Sequence, residues 1–300
     1  MSELLALPER ARGVGASEHL DLCVGARAPT YNRMSRIAST FEKLKRQGKK
    51  ALIPYIMAGD PDLSTTQALV LELERNGADI IELGVPFSDP LADGPVIQRA
   101  SDRSLRNKTS LRAVMELVRT LRQKTQIPLV LMSYYNPIHK YGEEQFAQDA
   151  VACGVDGVIV PDLPPEEAGP LLKTSCKVGL DTIFLLAPTS TPERIRKVSE
   201  VSRGFIYYVS LTGITGAALG SLEEIKRKLQ EIRRTSAKPV AVGFGISTPD
   251  QAAQVAQWAD GVIVGSALVK LVESHLQDPH LVQIVGRFVR DLRQAVYTPT

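Results

Sequence analysis

Short apolar runs recur along the chain from residue 51 onward, and segments with helical spacing separate them. The runs are continuous rather than alternating, which is typical of strands in a parallel sheet that helices cover on both faces. Their starts lie about thirty residues apart, the length of a strand–helix unit. The eight predicted strands are residues 51–58, 79–85, 127–134, 157–162, 181–187, 204–210, 238–244 and 261–267.

Eight such units in one chain predict an α/β fold, a closed (β/α)8 TIM barrel rather than a doubly wound open sheet. An additional N-terminal helix is predicted within residues 34–50, because Ile37, Phe41 and Leu44 fall on one helical face. This helix would plug the bottom of the barrel. We therefore expect residues 34–300 to form one barrel-shaped catalytic domain.

Residues 1–33 show no sustained hydrophobic period and contain Gly13, Gly15 and Gly25. Segments of this kind do not build a packed core. We expect an unstructured leader here, with Met34 as the biological start of the protein.

Helix ends can be read from particular residues. Thr191 and Thr248 each precede a proline, the arrangement of a helix N-cap followed by a first-turn proline. Gln251 stands where it would complete a capping box with Thr248. Gly77 and Gly154 stand where the preceding helices are expected to end.

The net charge of +3 at pH 7 is concentrated in one place, since residues 34–50 hold six basic and one acidic side chains. Without interleaved aromatic residues, this segment indicates a solvated helix face rather than a nucleic-acid site. The chain has neither an apolar run long enough for a membrane span nor a secretory signal, so we expect a cytoplasmic protein. No CxxC or HExxH motif suggests a metal site.

Two carboxyl groups in the second unit, residues 80–95, are candidates for acid–base chemistry. Glu82 stands inside an otherwise apolar strand, where desolvation favours its neutral form. Asp93 follows in a loop at the C-terminal end of that strand, where active sites of such barrels lie. The alternatives are a structural ion pair or a position facing water in the barrel for Glu82, and a turn or cap for Asp93. Together, one neutral and one ionised carboxyl group would both donate and accept protons.

Glycine-rich segments end the last three strands. They are Thr215-Gly216, Gly243-Phe244-Gly245 and Gly265-Ser266. Backbone N–H groups at such turns, with a helix N-terminus and the Ser266 hydroxyl, are typical of a phosphate site after strands seven and eight. The alternative is that these glycines only terminate strands.

The segment ELGVPFSDPLADGP, residues 82–95, resembles the signature of the tryptophan synthase alpha chain family. Further segments resemble motifs of the same family and occur in the same order. The resemblance extends from about residue 35 to the C-terminus. These segments are IPYIMAGDPD (53–62), LMSYYNP (131–137), VPDLPPEE (160–167), YVSLTGITGA (208–217), GFGIS (243–247) and GSALVK (265–270).

This resemblance implies a retro-aldol cleavage of indole-3-glycerol phosphate to indole and glyceraldehyde 3-phosphate. Glu82 would protonate indole C3 and take the glycerol hydroxyl proton. Asp93 would hold the indole N–H and stabilise the positive charge that develops on the ring. Tyr207 matches a family tyrosine close to the catalytic carboxylate, and ordinary core packing is its alternative role.

The resemblance also implies which residues bind the substrate. Phosphate would be held by Gly216, Gly245, Gly265 and Ser266. The loop from Leu211 onward, which contains Thr215, would close over the substrate; some members carry an arginine at the position of Leu211. The indole pocket would be lined by Tyr55, Ile97, Tyr134 and Phe244, or these side chains would simply fill the barrel.

The family partner is a pyridoxal-phosphate-dependent beta chain, joined in an α2β2 assembly through which indole passes. By motif position, the residues facing that partner would be Pro86, Asp89, Asn136 and Pro164. The resemblance implies no cofactor and no metal for this chain itself.

Three other kinds of function are compatible with parts of the sequence: a related phosphate-binding barrel enzyme, a non-catalytic effector and a stand-alone lyase. Phosphoribosylanthranilate isomerase and indole-glycerol-phosphate synthase share the glycine cluster but lack the LADG carboxylate loop. A non-catalytic effector would bind the phosphate ligand and only activate a beta partner, which the presence of Glu82 and Asp93 argues against. A stand-alone indole-glycerol-phosphate lyase would work without any partner.

Overall fold

The computed structural model describes residues 34–210, 222–243 and 245–297. Strand bounds are β1 Ala51–Met57, β2 Ile81–Gly84, β3 Leu129–Met132, β4 Gly157–Ile159, β5 Asp181–Ile183, β6 Leu185–Leu186, β7 Ile206–Val209, β8 Val240–Gly243 and β9 Gly261–Val264. The helices preceding β4 are α1 Arg36–Arg46, α2 Leu63–Arg75, α3 Pro95–Arg106, α4 Leu111–Leu121, α5 Tyr135–Tyr141 and α6 Glu143–Cys153. Those following β4 are α7 Gly169–Val178, α8 Pro192–Val201, α9 Leu222–Thr235, α10 Pro249–Ala256, α11 Ser266–Ser274 and α12 Leu281–Tyr297. The expectation for residues 1–33 lies outside the described residues and stays a prediction.

All strand pairs are parallel, in the order β5-β4-β3-β2-β1-β9-β8-β7-β6. The predicted barrel is therefore confirmed, with one difference: the run 181–187 forms two strands. β5 pairs with β4, and β6 pairs with β7. Phe184 lies between them, and its N–H donates to the Ser202 hydroxyl. Its carbonyl accepts from the Tyr207 N–H at 3.1 Å, which links the two ends of the sheet.

The predicted N-terminal helix α1 closes the bottom of the barrel. Its N-cap is Ser35, whose hydroxyl accepts from the Ala38 N–H. Ile37, Phe41 and Leu44 are buried in one cluster with inward-facing strand side chains. The Phe41 ring packs on the ring of Phe205, with 5.6 Å between centroids. Burial of this apolar face is the force that seats the helix.

The predicted helix ends are also confirmed. Thr191 and Thr248 are N-caps, and Thr248 forms the reciprocal capping box with Gln251. Gly77 and Gly154 follow their helices with positive φ angles of 99° and 93°, a conformation that glycine adopts without a steric penalty.

Two helices pack side by side over β1 and frame the mouth of the barrel. Ile97 and Ala100 of α3 and Val269 of α11 form a cluster with Tyr55 and Met57 of β1. This cluster places the start of α11 and the loop before α3 at the same edge of the sheet. Among the described residues, no helix is both long and apolar enough to cross a membrane.

Candidate active site

Glu82 points into the barrel from β2, where its register partners are Tyr55 on β1 and Val130 on β3. The residue is only 1% exposed, and within the described part of the chain neither carboxyl oxygen has a hydrogen-bond partner. Burial, followed by the nearby charge of Asp93, raises the pKa of Glu82 to about 8. Glu82 is therefore a neutral acid at pH 7, as expected from its apolar strand.

Asp93 lies at the end of the loop that joins β2 to α3. Its N–H donates to the Pro90 carbonyl at 3.0 Å, and its own carbonyl accepts from the Gln98 side chain at 2.9 Å. The Tyr134 hydroxyl donates to the Asp93 carboxylate and accepts from the Ala92 N–H at 2.9 Å. Burial raises the pKa of Asp93 to about 6, against the opposing effect of the Tyr134 hydrogen bond. Asp93 is therefore mostly ionised at neutral pH.

Two further contacts hold this loop on the barrel. The Ser101 hydroxyl of α3 accepts from the Phe87 N–H and donates to the Phe87 carbonyl, both at 2.9 Å. The Phe87 ring packs on the ring of Tyr134, with centroids 5.2 Å apart. The loop that carries Asp93 is thus attached to both α3 and the end of β3.

Tyr55 and Tyr207 are both buried and lie close to the two carboxyl groups. Burial, and then the charges of Asp93 and Glu82, raise the pKa of Tyr55 well above its usual value. For Tyr207, burial has the largest effect on the pKa, followed by Glu82 and Asp93, all in the same direction. Both phenols therefore stay protonated at neutral pH and form hydrogen bonds only as neutral hydroxyl groups.

Glycines on neighbouring strands make room for these two phenols. A Cβ at position 84 would overlap the Tyr55 hydroxyl, and one at position 243 would lie 2.5 Å from the Tyr207 hydroxyl. Gly84 stands two residues after Glu82 on the same face of β2. The two glycines therefore decide where the phenols lie relative to the carboxyl groups.

Of the predicted phosphate residues, Gly245, Gly265 and Ser266 are among the described residues and lie at the mouth of the barrel. Gly265 is the N-cap of α11, no side chain caps that helix, and Ser266 is its exposed first residue. A Cβ at position 265 would lie 3.5 Å from Tyr55, so this helix start adjoins the tyrosine beside Glu82. Gly245 is exposed, with a φ of 79°. Unpaired N–H groups in the first turn of a helix favour an anion at this position.

An open cavity of about 520 Å³ lies at the same end of the barrel, on the side opposite β2. Leu185 and Val209 line it from β6 and β7, and the β6–α8 loop contributes Thr189, Ser190 and Thr191. Neither Glu82 nor Asp93 lines this cavity, so it marks open space beside the β6–α8 loop and not the carboxyl pair itself.

Comparisons with known proteins agree on one family. The sequence model described as tryptophan synthase alpha chain matches residues 41–296. The tryptophan synthase alpha chain of Geobacter sp. (strain M21) is 55% identical over 263 residues, which cover 88% of this chain and 98% of the relative.

Solved structures match over the same extent. Tryptophan synthase subunit alpha from Legionella pneumophila str. Paris has a TM-score of 0.82 at 43% identity, covering 88% of this chain and 99% of that chain. An aminoacrylate-bound form of tryptophan synthase from M. tuberculosis contains a chain that matches with a TM-score of 0.79 at 38% identity, over 88% and 100%.

The chain belongs to the tryptophan synthase alpha chain family. As a tryptophan synthase alpha subunit it is a carbon–carbon lyase of tryptophan biosynthesis. The extent of the match favours this family over the two rival barrels that share only the glycine cluster. The resemblance seen in the ELGVPFSDPLADGP segment is thereby confirmed.

The structure brings most of the described site residues together. Ile97 and Tyr55 share a cluster, and Tyr134 contacts Asp93 directly. Of the predicted partner-facing residues, Asp89 and Asn136 are exposed and Pro164 is partly buried, whereas Pro86 is buried. Thr215, Gly216 and Phe244 lie outside the described residues, and their roles stay predictions.

Several residues around the site were missed from the sequence. Gly84 matters because it has no side chain and so leaves room for the Tyr55 phenol. Hydrophobic periodicity in the sequence does not reveal such a position. An ion-pair network beside the mouth of the barrel joins Asp60, Arg103 and Glu273. Its Asp60 end is buried and its Glu273 end is partly exposed. A signal for this network was present, since Arg99 and Arg103 stand four residues apart on one face of α3.

Proposed function

We propose that this chain cleaves indole-3-glycerol phosphate to indole and glyceraldehyde 3-phosphate and passes the indole to a beta chain. The observation that supports this most directly is the pair of unlike carboxyl groups at one barrel mouth. Glu82 is held neutral and Asp93 ionised at pH 7. Environments that separate the pKa values of two carboxyl groups are typical of assigned acid and base roles.

The cleavage needs one proton at indole C3 and the loss of one from the glycerol hydroxyl. Protonated Glu82 donates to C3, which leaves an indolenine-like cation. The charge on its ring nitrogen is stabilised by the Asp93 carboxylate, which accepts the N–H hydrogen bond. The Glu82 carboxylate then takes the proton of the hydroxyl next to the ring. The C–C bond breaks, its electrons restore the indole, and the hydroxyl carbon becomes the aldehyde.

The lack of a hydrogen-bond partner for Glu82 in the described residues supports its part in this scheme. A nearby cation would hold the group ionised and make it a poor acid for carbon. Because the pKa is raised to about 8, donation to C3 and recovery of a proton are closely balanced near neutrality. The Tyr207 phenol, beside both carboxyl groups, would help to orient the substrate.

The phosphate tail would be held at the start of α11 by Gly265 and Ser266, together with Gly245, Gly216 and Thr215. The indole ring would lie among Tyr55, Ile97, Tyr134 and Phe244. With the phosphate tail and the indole ring held in these two places, the reacting carbon would lie between the Glu82 and Asp93 carboxyl groups. Every proton in the scheme is carried by this chain, so we propose that it needs no cofactor and no metal of its own.

The partner would be a pyridoxal-phosphate-dependent beta chain in a cytoplasmic α2β2 assembly. Asp89 follows β2 and Asn136 follows β3, both exposed beside the Asp93 loop. A partner that touches these two residues would lie next to the indole site, which supports direct transfer of indole. Pro164 and the edge of Pro86 would complete that contact.

The decisive experiment measures indole release from indole-3-glycerol phosphate by the purified chain, with and without a beta chain. We expect slow release by the chain alone, stimulation by the beta chain, and no release by Glu82→Gln. Release that the beta chain does not stimulate would instead indicate a stand-alone lyase. No release under either condition would leave only a binding role.

A further inference from the structure

An ion-pair network crosses the outside of the barrel mouth between three elements. The Arg103 guanidinium of α3 donates twice to the Asp60 carboxylate, both at 2.8 Å, and once to Glu273 of α11 at 2.7 Å. Arg99 donates twice to the same Glu273, again at 2.8 Å. Paired, two-pronged contacts of this kind fix orientation as well as distance.

The exposure of the side chains increases along the network from Asp60 to Arg99. The Asp60 side chain is 2% exposed, Arg103 18%, Glu273 23% and Arg99 52%. Hydrogen bonds from Arg99, the largest effect, and from Arg103 lower the pKa of Glu273 to about 2, so it is ionised throughout the working range. Within this group, the Asp60–Arg103 pair is the one most shielded from solvent and salt.

Both helices joined by the network begin at the proposed substrate site. α11 starts at Ser266, where the phosphate would bind, and Glu273 lies seven residues later, about 10 Å along the helix axis. α3 starts directly after Asp93 and Gly94, and its Gln98 side chain holds the Asp93 carbonyl. The ion pairs thus connect the far part of one helix to the helix that carries the carboxylate loop.

α11 is seated on the barrel by its buried Leu268 and Val272. It is attached to α3 at two places, by the packing of Val269 near its start and by the ion pairs of Glu273 farther along. α3 is in turn anchored to the loop after β1, because the Ser104 hydroxyl donates to the Ala58 carbonyl at 2.6 Å. Fixing both attachments fixes the direction in which the first turn of α11 points.

We propose that Arg103 and Glu273 are positioning residues that lock α11 to α3 and so keep the phosphate site at a set distance from Asp93 and Glu82. This inference rests on the proposed function, and it assigns no contact with substrate to either residue. Its consequence is specific: losing the lock misaligns the two halves of the site without destroying either one. A misplacement of about 1 Å can lower a catalysed rate about 100-fold.

The test separates the alignment of the two halves of the site from the binding of a phosphate in one of them. For Glu273→Gln and Arg103→Met, indole release gives kcat and KM for indole-3-glycerol phosphate. Calorimetry gives the Kd of glycerol 3-phosphate, which probes the phosphate half alone. We expect kcat/KM to fall at least about fivefold in both variants, while the Kd for glycerol 3-phosphate changes less than about twofold.

Arg293→Met is the matched control. Arg293 makes a similarly buried two-pronged pair with Asp79, at 2.6 and 2.9 Å, but at the opposite end of the barrel. It should lower the Tm and leave kcat/KM unchanged below that temperature. If Arg103→Met does not fold because Asp60 loses its partner, the partly exposed Glu273 still provides the test.

The proposal is overturned if kcat/KM falls less than fivefold in folded Glu273→Gln. It is equally overturned if the Kd for glycerol 3-phosphate rises in proportion to the loss, because the network would then build the phosphate site rather than align it. A wild-type chain that releases no indole with a beta chain would refute the proposed function instead.

Discussion

The phenol of Tyr207 on β7 lies over Gly243 of the neighbouring strand β8, so close that a Cβ at position 243 would stand 2.5 Å from the hydroxyl and 2.9 Å from two ring atoms. Position 243 therefore has to lack a side chain for the phenol to lie where it does. In the same way, the phenol of Tyr55 on β1 lies over Gly84 of the neighbouring strand β2, which also carries Glu82.

Gly243→Ala should displace Tyr207 and destabilise the barrel. Overpacking of this kind costs about 1–3 kcal/mol of the free energy of unfolding, and moving the phenol should lower kcat/KM at least about tenfold. Urea unfolding and indole release measure the two effects.

The double variant Gly243→Ala with Tyr207→Leu checks the cause. With the ring removed, the new methyl group has space, so the double variant should be less destabilised than the sum of the two single variants. Additive losses would mean that the added methyl group acts on something other than Tyr207.

Glu82→Gln should stabilise the protein at high pH. The pKa of Glu82 is raised from 4.5 to about 8 by burial, so between these values the folded state holds a proton that the unfolded state has released. Stability of the wild type therefore falls as pH rises from about 4.5 to about 8. At pH 9 the variant should be more stable by a few kcal/mol, and at pH 4 the difference should disappear.

The measurement is urea unfolding of both proteins across this pH range. Glu42→Gln makes the same chemical change at an exposed position of α1 and serves as the comparison variant. A Glu82→Gln difference that does not change with pH would contradict the burial-raised pKa.

Asp93→Asn should change the shape of the pH–rate profile as well as its height. In the wild type, kcat/KM should be bell-shaped, with limbs near pH 6 and pH 8, because Asp93 must be ionised and Glu82 protonated. Removing the charge of Asp93 lowers the pKa of Glu82, whose proton is held partly by that charge. The alkaline limb should therefore move to lower pH, and the acidic limb should disappear.

Residual indole release by Asp93→Asn, followed from pH 5 to pH 9, measures this change. An alkaline limb that stays at its wild-type position would show that the two carboxyl groups are not coupled. The rate at the optimum should also fall about 100-fold, since a neutral amide stabilises the ring cation poorly.

Phe41→Ala should affect stability and spare the chemistry. Phe41 of α1 is 5% exposed and packs on Phe205 at the bottom of the barrel, the end away from the carboxyl groups. Removing a buried phenylalanine side chain costs about 3–5 kcal/mol. Thermal unfolding should show a lower Tm, while kcat and KM at a temperature where both proteins are folded stay the same.

The exposed neighbour Glu42 gives the control, since Glu42→Ala should leave the Tm almost unchanged. A fall in kcat for folded Phe41→Ala would indicate that the plug helix influences the mouth through the barrel interior.

The strands and helix ends could be predicted from short residue patterns because residues close together in the chain determine them. Continuous apolar runs marked every strand, and the capping box at Thr248 and Gln251 was visible from two residue types at the right spacing. The split of the run 181–187 was not visible; at that point the Phe184 N–H donates to the hydroxyl of Ser202, which lies 18 residues later in the chain.

The candidate site shows the same division. Glu82 could be identified because a carboxyl group in an apolar strand is desolvated whatever the details of the fold. The neighbours that modify it could not, because Tyr207, Asp93 and Tyr55 come from three different parts of the chain and meet only when the barrel closes.

By itself, the sequence determined the alternation of strands and helices, the plug helix and the family, since each follows from residue types at fixed short spacings. Only the tertiary structure decided that Gly84 and Gly243 make space for two phenols, and that Arg103 joins Asp60 to Glu273 across 213 positions of the chain. The physical reason is that steric fit and ion-pair geometry depend on distances of a few ångströms between elements. Hydrophobic periodicity sets which face of an element is buried, but not which side chain it meets there.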